Sequence, residues 1–123
     1  MAEIVHRLRV SAAPSDVLRA VSQEALRTAF WPIDAKISMK ETDHDETKLV
    51  AWSCVEGPPE WVGTHISFDV APDGADTVLR FAHRNWRAST DFMAHCSTGW
   101  ARVLLGLKSQ LEIPEPDDVL LGG

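Results

Sequence analysis

The 123-residue sequence contains no tyrosine and only two cysteines, Cys54 and Cys96. Two thiols cannot build the disulfide framework on which small secreted domains depend, so both are expected to be free. No apolar run approaches the ~20 residues needed to cross a bilayer, and Met1-Ala2-Glu3 lacks the basic stretch and apolar core of a secretory leader. Basic residues are scarce as well: 12 lysines and arginines against 18 acids leave a formal charge of -6, the wrong sign for a protein held to phosphate backbones. Together these absences lead us to expect a cytoplasmic protein with no nucleic-acid partner and no membrane insertion. The sequence also has no phosphate-binding glycine loop, no dinucleotide fingerprint and no nucleophile with its base, so no catalytic residue is nominated.

What it has in plenty is indole, with five tryptophans beside four phenylalanines. Each such ring carries a large apolar surface, and each indole an N–H that needs a partner when buried. The chain length suits one domain, expected over residues 1–111. Residues 112–123 carry four acids, no bases and two prolines, and read as a solvated acidic tail.

Along the chain, Ile4, His6, Leu8 and Val10 alternate with Val5, Arg7 and Arg9, which predicts a half-buried strand. Pro14 and Asp16 open a short helix with Val17, Leu18 and Val21 as its apolar stripe. A second short helix is expected over 23–31, stopped by Pro32. From residue 36 the period is two: Ile37 and Met39 alternate with lysines, Glu41 to Glu46 reads as an acidic turn, and Leu49 to Val55 resumes a strand. After the turn at Glu56-Gly57-Pro58-Pro59-Glu60, one face of the next strand carries Val62, Thr64, Ile66, Phe68 and Val70. Pro72-Asp73-Gly74 turns into a strand with Thr77, Leu79, Phe81 and His83 on one face. Thr90 to Leu111 has helical spacing, with Phe92, Cys96, Gly99, Trp100, Val103, Leu104, Leu107 and Leu111 on a broad stripe.

The polar residues on these elements offer little chemistry. His6 and His83 fall in phase with apolar neighbours. In a pocket a neutral imidazole could orient a polar ligand group or pass a proton. In a core it would bond a backbone carbonyl, Thr64 or Thr77, since no carboxylate shares its face. His95-Cys96 with Cys54 and His83 has no Cys-x-x-Cys or His-x-x-x-His spacing, so no metal site is nominated. The acidic turn lacks the length and central glycine of a calcium loop. Arg80, Arg84 and Arg87 lie near Trp86, where they could stack on the indole as an anion-binding patch or pair with Asp69 and Asp76.

The order of strand, two short helices, meander and long C-terminal helix, together with two stretches of sequence, carries a resemblance. The run from Trp52-Ser53-Cys54-Val55-Glu56-Gly57-Pro58-Pro59-Glu60-Trp61 through Phe68, and His95-Cys96-Ser97-Thr98-Gly99-Trp100 through Lys108, resemble the bacterial Hsp90 ATPase activator homologue family of the START-like, Bet v 1-like superfamily. The resemblance implies an α+β helix-grip fold, a curved antiparallel sheet of about five strands around the C-terminal helix. Relatives usually place a further strand between Phe30-Trp31 and the strand near residue 36, where this chain has only Pro32 to Ala35. The Ile37 strand is therefore expected at an edge that a second subunit could cover in a homodimer.

The resemblance also implies a hollow between sheet and helix that takes an apolar or amphipathic small molecule without a cofactor. The nominated lining is Trp52, Phe68, Phe81 and His83 from the strands and Phe92, Cys96, Trp100 and Val103 from the helix. On this reading the protein is a non-enzymatic binding or carrier module. A co-chaperone-like protein-interaction domain with a filled interior is the alternative, and a cyclase- or hydratase-type enzyme is a third.

Overall fold

The computed structural model describes residues 2–21, 38–45 and 48–112. The expected helix at 23–31, the short connection at 32–35, Ile37 and the acidic tail beyond 112 lie outside them. Among these residues seven elements follow in order: β1 (Ala2–Val10), α1 (Pro14–Ala20), β2 (Ser38–Asp45), β3 (Leu49–Glu56), β4 (His65–Asp73), β5 (Asp76–Trp86) and α2 (Asp91–Glu112). The strands form one curved antiparallel sheet in the order β1-β5-β4-β3-β2, gripped against α2. No helix among the described residues is long and apolar enough to cross a membrane.

The inner face of the sheet follows from alternation. Ile4 and Val10 of β1, Val50, Trp52 and Cys54 of β3, Ile66, Phe68 and Val70 of β4, and Leu79 and Phe81 of β5 are all buried. Helix α2 answers with Cys96, Trp100, Leu104 and Leu107, one residue per turn on the stripe facing the sheet. Thr90 caps α2, its hydroxyl oxygen accepting from the Met93 N–H at 3.1 Å and donating to Glu60 at 2.6 Å. At the far end Glu112 accepts from Lys108 and from the Ser11 N–H, which ties the end of the helix to the end of β1.

Three segments depart from the sequence pattern, each for an identifiable reason. Glu41 to Asp45, expected as a turn, extend β2, with Glu41 opposite Trp52 and Asp45 opposite Leu49. An edge strand whose residues are mostly exposed shows no apolar alternation, and charges there guard the edge. Val62, expected to face inward on β4, is instead 43% exposed, because the strand begins only at His65. Residues 61–64 form a tight turn that includes Gly63 at φ +88° and is laced to β3 by Gly63 N–H to Cys54 and Cys54 N–H to Thr64.

The third departure moves Trp86 into the core. Ile4 lies opposite His83 but Ala2 lies opposite Trp86, so β5 carries one extra residue there. Asn85 takes the left-handed conformation at φ 76° and donates from its side chain to the Gly63 carbonyl at 2.9 Å. The bulge reverses the inside-outside alternation, so Asn85 is exposed and Trp86 is fully buried. The buried indole of Trp86 thus offers no face on which Arg80, Arg84 or Arg87 could stack, and the alternative pairing of these arginines with Asp69 and Asp76 is not the one found among the described residues. Arg84 pairs with Glu3 at 3.3 Å, and it is Arg9 of β1 that pairs with Asp73 and Asp76.

Candidate functional site between sheet and helix

Five of the eight nominated side chains, Trp52, Phe68, Phe81, His83 and Trp100, meet in one cluster between the sheet and α2. Phe81 lies 4.6 Å from Trp100 by ring centroids, Phe68 lies 5.2 Å from Phe81, and Trp52 extends the row at 5.5 Å from Phe68. Trp61 stacks on Trp100 at 6.0 Å and meets the edge of His83 at 5.0 Å. The remaining nominees sit at the borders. Cys96 is buried beside Trp61, Phe92 is half-buried near Trp86 at 6.3 Å, and Val103 packs half-buried against the core. Phe68, Phe81, His83 and Trp100 are each 0% exposed, packed as core side chains are.

The polar atoms of this cluster form a directed chain. The Trp100 indole N–H donates to His83 Nδ1 at 3.2 Å, and indole can only donate, so the neutral ring carries its proton on Nε2. That N–H donates to Thr64 Oγ1 at 2.7 Å, and the Thr64 hydroxyl donates to the Trp61 carbonyl at 2.5 Å. The expected threonine partner for a core histidine is thus the one observed. Burial pushes His83 down to about 3 from its ordinary 6.5. A second proton on Nδ1 would also confront the Trp100 donor. Both nitrogens are committed and the ring stays neutral at physiological pH, a structural role rather than a proton carrier.

His6, the other inward histidine, is half-buried and joins β1 to α2. Its Nε2–H donates to the Ser97 carbonyl at 3.2 Å, and the ring stacks on Phe81 at 6.1 Å. The two cysteines are equally uncommitted to reaction chemistry. Burial pushes both thiols up, while Cys54 donates to the Glu56 carbonyl and Cys96 accepts from the Trp61 indole at 3.4 Å. Among the described residues no three His, Cys, Asp or Glu side chains converge as a metal site would require.

Sequence reasoning missed Trp61 and Trp86. Trp61 follows a Gly-Pro-Pro-Glu turn and belongs to no strand period. The available signal was chemical, because an indole placed in a short loop must find apolar cover. Trp86 was hidden by the bulge. Among the described residues its buried Nε1–H has no hydrogen-bond partner, a deficit of about 1–3 kcal/mol. Replacing it removes a donor that satisfies nothing, whereas replacing Trp100 orphans His83 Nδ1. Denaturant unfolding of Trp86→Phe should therefore show a loss smaller by about 1–2 kcal/mol than that of Trp100→Phe.

The element order, sheet sequence and gripped helix define a helix-grip domain of the START-like, Bet v 1-like class. The fold is similar to the solution structure of the Aha1 dimer from Colwellia psychrerythraea, with 34% identity, 92% of this chain and 98% of that chain covered, and a TM-score of 0.77. With that identity over nearly the full length of both, the chain belongs to the Aha1 family. Likeness to the protein MLL2253 from Mesorhizobium loti (16% identity, 90% and 97% covered, TM-score 0.72) concerns the fold alone. The same holds for CalU16 from Micromonospora echinospora (18% identity, 94% and 78% covered, TM-score 0.69). No family model and no curated protein matches the chain.

Proposed function

We propose that this domain is a protein-binding, co-chaperone-like module that works through its surface on an Hsp90-type ATPase. The observation that carries this reading is the close packing of the aromatic cluster between β4, β5 and α2. Four of the eight side chains nominated to wall a ligand hollow, Phe68, Phe81, His83 and Trp100, are packed against one another out of reach of solvent, and the polar atoms of His83 and Trp100 bond inside the cluster. A ligand entering there would have to displace well-packed aromatic rings, which costs several kcal/mol on the scale of core mutations. The 34% identity to an Aha1 protein supports a function of that family's kind. A homodimer joined through a sheet edge belongs to the same reading, since β1 and β2 end the sheet on either side.

The test is to titrate the domain into a bacterial Hsp90 and follow ATP turnover together with heat of binding. A saturable change in turnover at the binding stoichiometry is expected. Absence of both binding and a turnover change overturns the reading.

One observation favours a second reading, the small-molecule carrier. The orphaned Trp86 N–H, with Trp86 4.8 Å from His83 by ring centroids, is a buried donor that a ligand acceptor could satisfy if the neighbouring rings parted. Native mass spectrometry against a library of fatty acids and aromatic acids separates the two. Stoichiometric retention of a ligand, lost in Trp86→Phe, favours the carrier. A cyclase- or hydratase-type reaction draws no support from a histidine whose two nitrogens are both engaged and whose pKa is near 3.

A further inference from the structure

We propose that two copies of this chain join edge to edge along β1, antiparallel about a two-fold axis at Val5, so that their sheets run on as one. This inference rests on the reading that the domain self-associates through a sheet edge, and adds which edge and in what register.

Charge decides between the two edges. Strand β2 carries Glu41, Asp43 and Asp45 against Lys40 and His44. Acids outnumber bases along it, so a second copy would meet like charge, and its register against β3 shifts between Glu41 and Asp43, an irregularity that interrupts the ladder a second copy would add. Strand β1 is complementary to itself. Its outer face reads Glu3, Val5, Arg7 and Arg9, and pairing about Val5 sets Glu3 opposite Arg7 of the partner subunit on both sides of the axis. An even register also keeps the two inner faces on the same side. Ala2 then lies opposite Leu8 of the partner subunit, and Ile4 opposite His6 of the partner subunit, so apolar residues continue across the seam.

Each residue at the axis gains something that it lacks in a single copy. Val5 is 38% exposed, one of few large apolar side chains left in water, and the pairing covers it with its own counterpart. Arg7 lies directly opposite Arg80 on β5, with Asp69 one strand further on. Arg9 and Arg84 have carboxylate partners, whereas among the described residues Arg7 has none. The incoming Glu3 relieves the Arg7–Arg80 repulsion while remaining beside Arg84. The outward backbone groups of β1, unpaired among the described residues, complete a further ladder of hydrogen bonds.

The experiment uses the full chain. Sedimentation equilibrium is expected to give a dimer that Val5→Lys weakens at least tenfold, because it sets two ammonium groups face to face at the axis. Val5 points to solvent, so the variant should retain the far-ultraviolet circular dichroism of the parent. Arg7→Glu, which sets carboxylate against carboxylate, provides a second disrupting change. Val5→Cys treated with a short bismaleimide should give a covalent dimer, while the parent, whose Cys54 and Cys96 are buried, should give none. A monomer at all accessible concentrations overturns self-association and the edge assignment together. A dimer indifferent to Val5→Lys and Arg7→Glu, and not captured through Val5→Cys, overturns the β1 assignment alone.

Discussion

Acidification from about pH 7.5 to about pH 4.5 is expected to lower the stability of the domain by about 3 kcal/mol through His83 alone. The folded ring titrates near 3 and the unfolded ring near its ordinary 6.5. Above 6.5 neither state binds the proton and the contribution is fully present. Below it the unfolded chain takes up a proton that the folded chain refuses. Stability then falls by about 1.4 kcal/mol per pH unit until folded His83 itself titrates. Glu112, held below the usual carboxylate range chiefly by its bond to Lys108, adds acid sensitivity of the same sign. The His83 part is therefore read as the difference between the parent and His83→Gln, which keeps a donor and an acceptor but does not titrate. Parallel denaturant titrations across the range should diverge in slope below pH 6.5. Parallel slopes would mean that His83 is charged in the folded state.

The largest single loss is expected from Trp100→Ala. Removing a fully buried indole from a close-packed core costs about 3–5 kcal/mol. Here it also leaves Phe81, Phe68 and Trp61 without their common neighbour and His83 Nδ1 without its donor. Domains of this size rest on roughly 5–15 kcal/mol in all, so the variant should unfold at low denaturant and lose near-ultraviolet circular dichroism. Trp100→Phe, which keeps an apolar ring but no donor, should fall between the two. A Trp100→Ala domain as stable as the parent would mean that α2 does not hold the sheet in solution.

The sequence announced whatever repeats with a regular period. The inward faces of β1, β4 and β5 and the stripe on α2 were legible because burial on one side imposes a spacing of two or about 3.6. Trp52 and Cys54, ambiguous by pattern, were settled only by pairing, with Trp52 opposite Ile66. Features that break a period were hidden. The β2 edge shows no alternation because water reaches both its faces, and Trp86 enters the core because Asn85 inserts one residue. The His83 chain was half legible. Thr64 could be named as a partner, but the Trp100 donor that fixes the tautomer comes from an element far along the chain. How tightly Phe68, Phe81 and Trp100 close on one another was not written in any local pattern, since packing density depends on the sum of many distant contacts.

The pairing of β1 with β5 has a consequence for biosynthesis. Val10 sits opposite Thr77 and Ala2 opposite Trp86, so the strand made first waits beside the ribosome for a mate made much later. Meanwhile the hairpins between β2 and β5 can zip locally as they emerge. The nascent chain thus exposes Ile4, Leu8 and Val10 until synthesis has passed Trp86. Translation speed through that stretch sets how long they wait for cover.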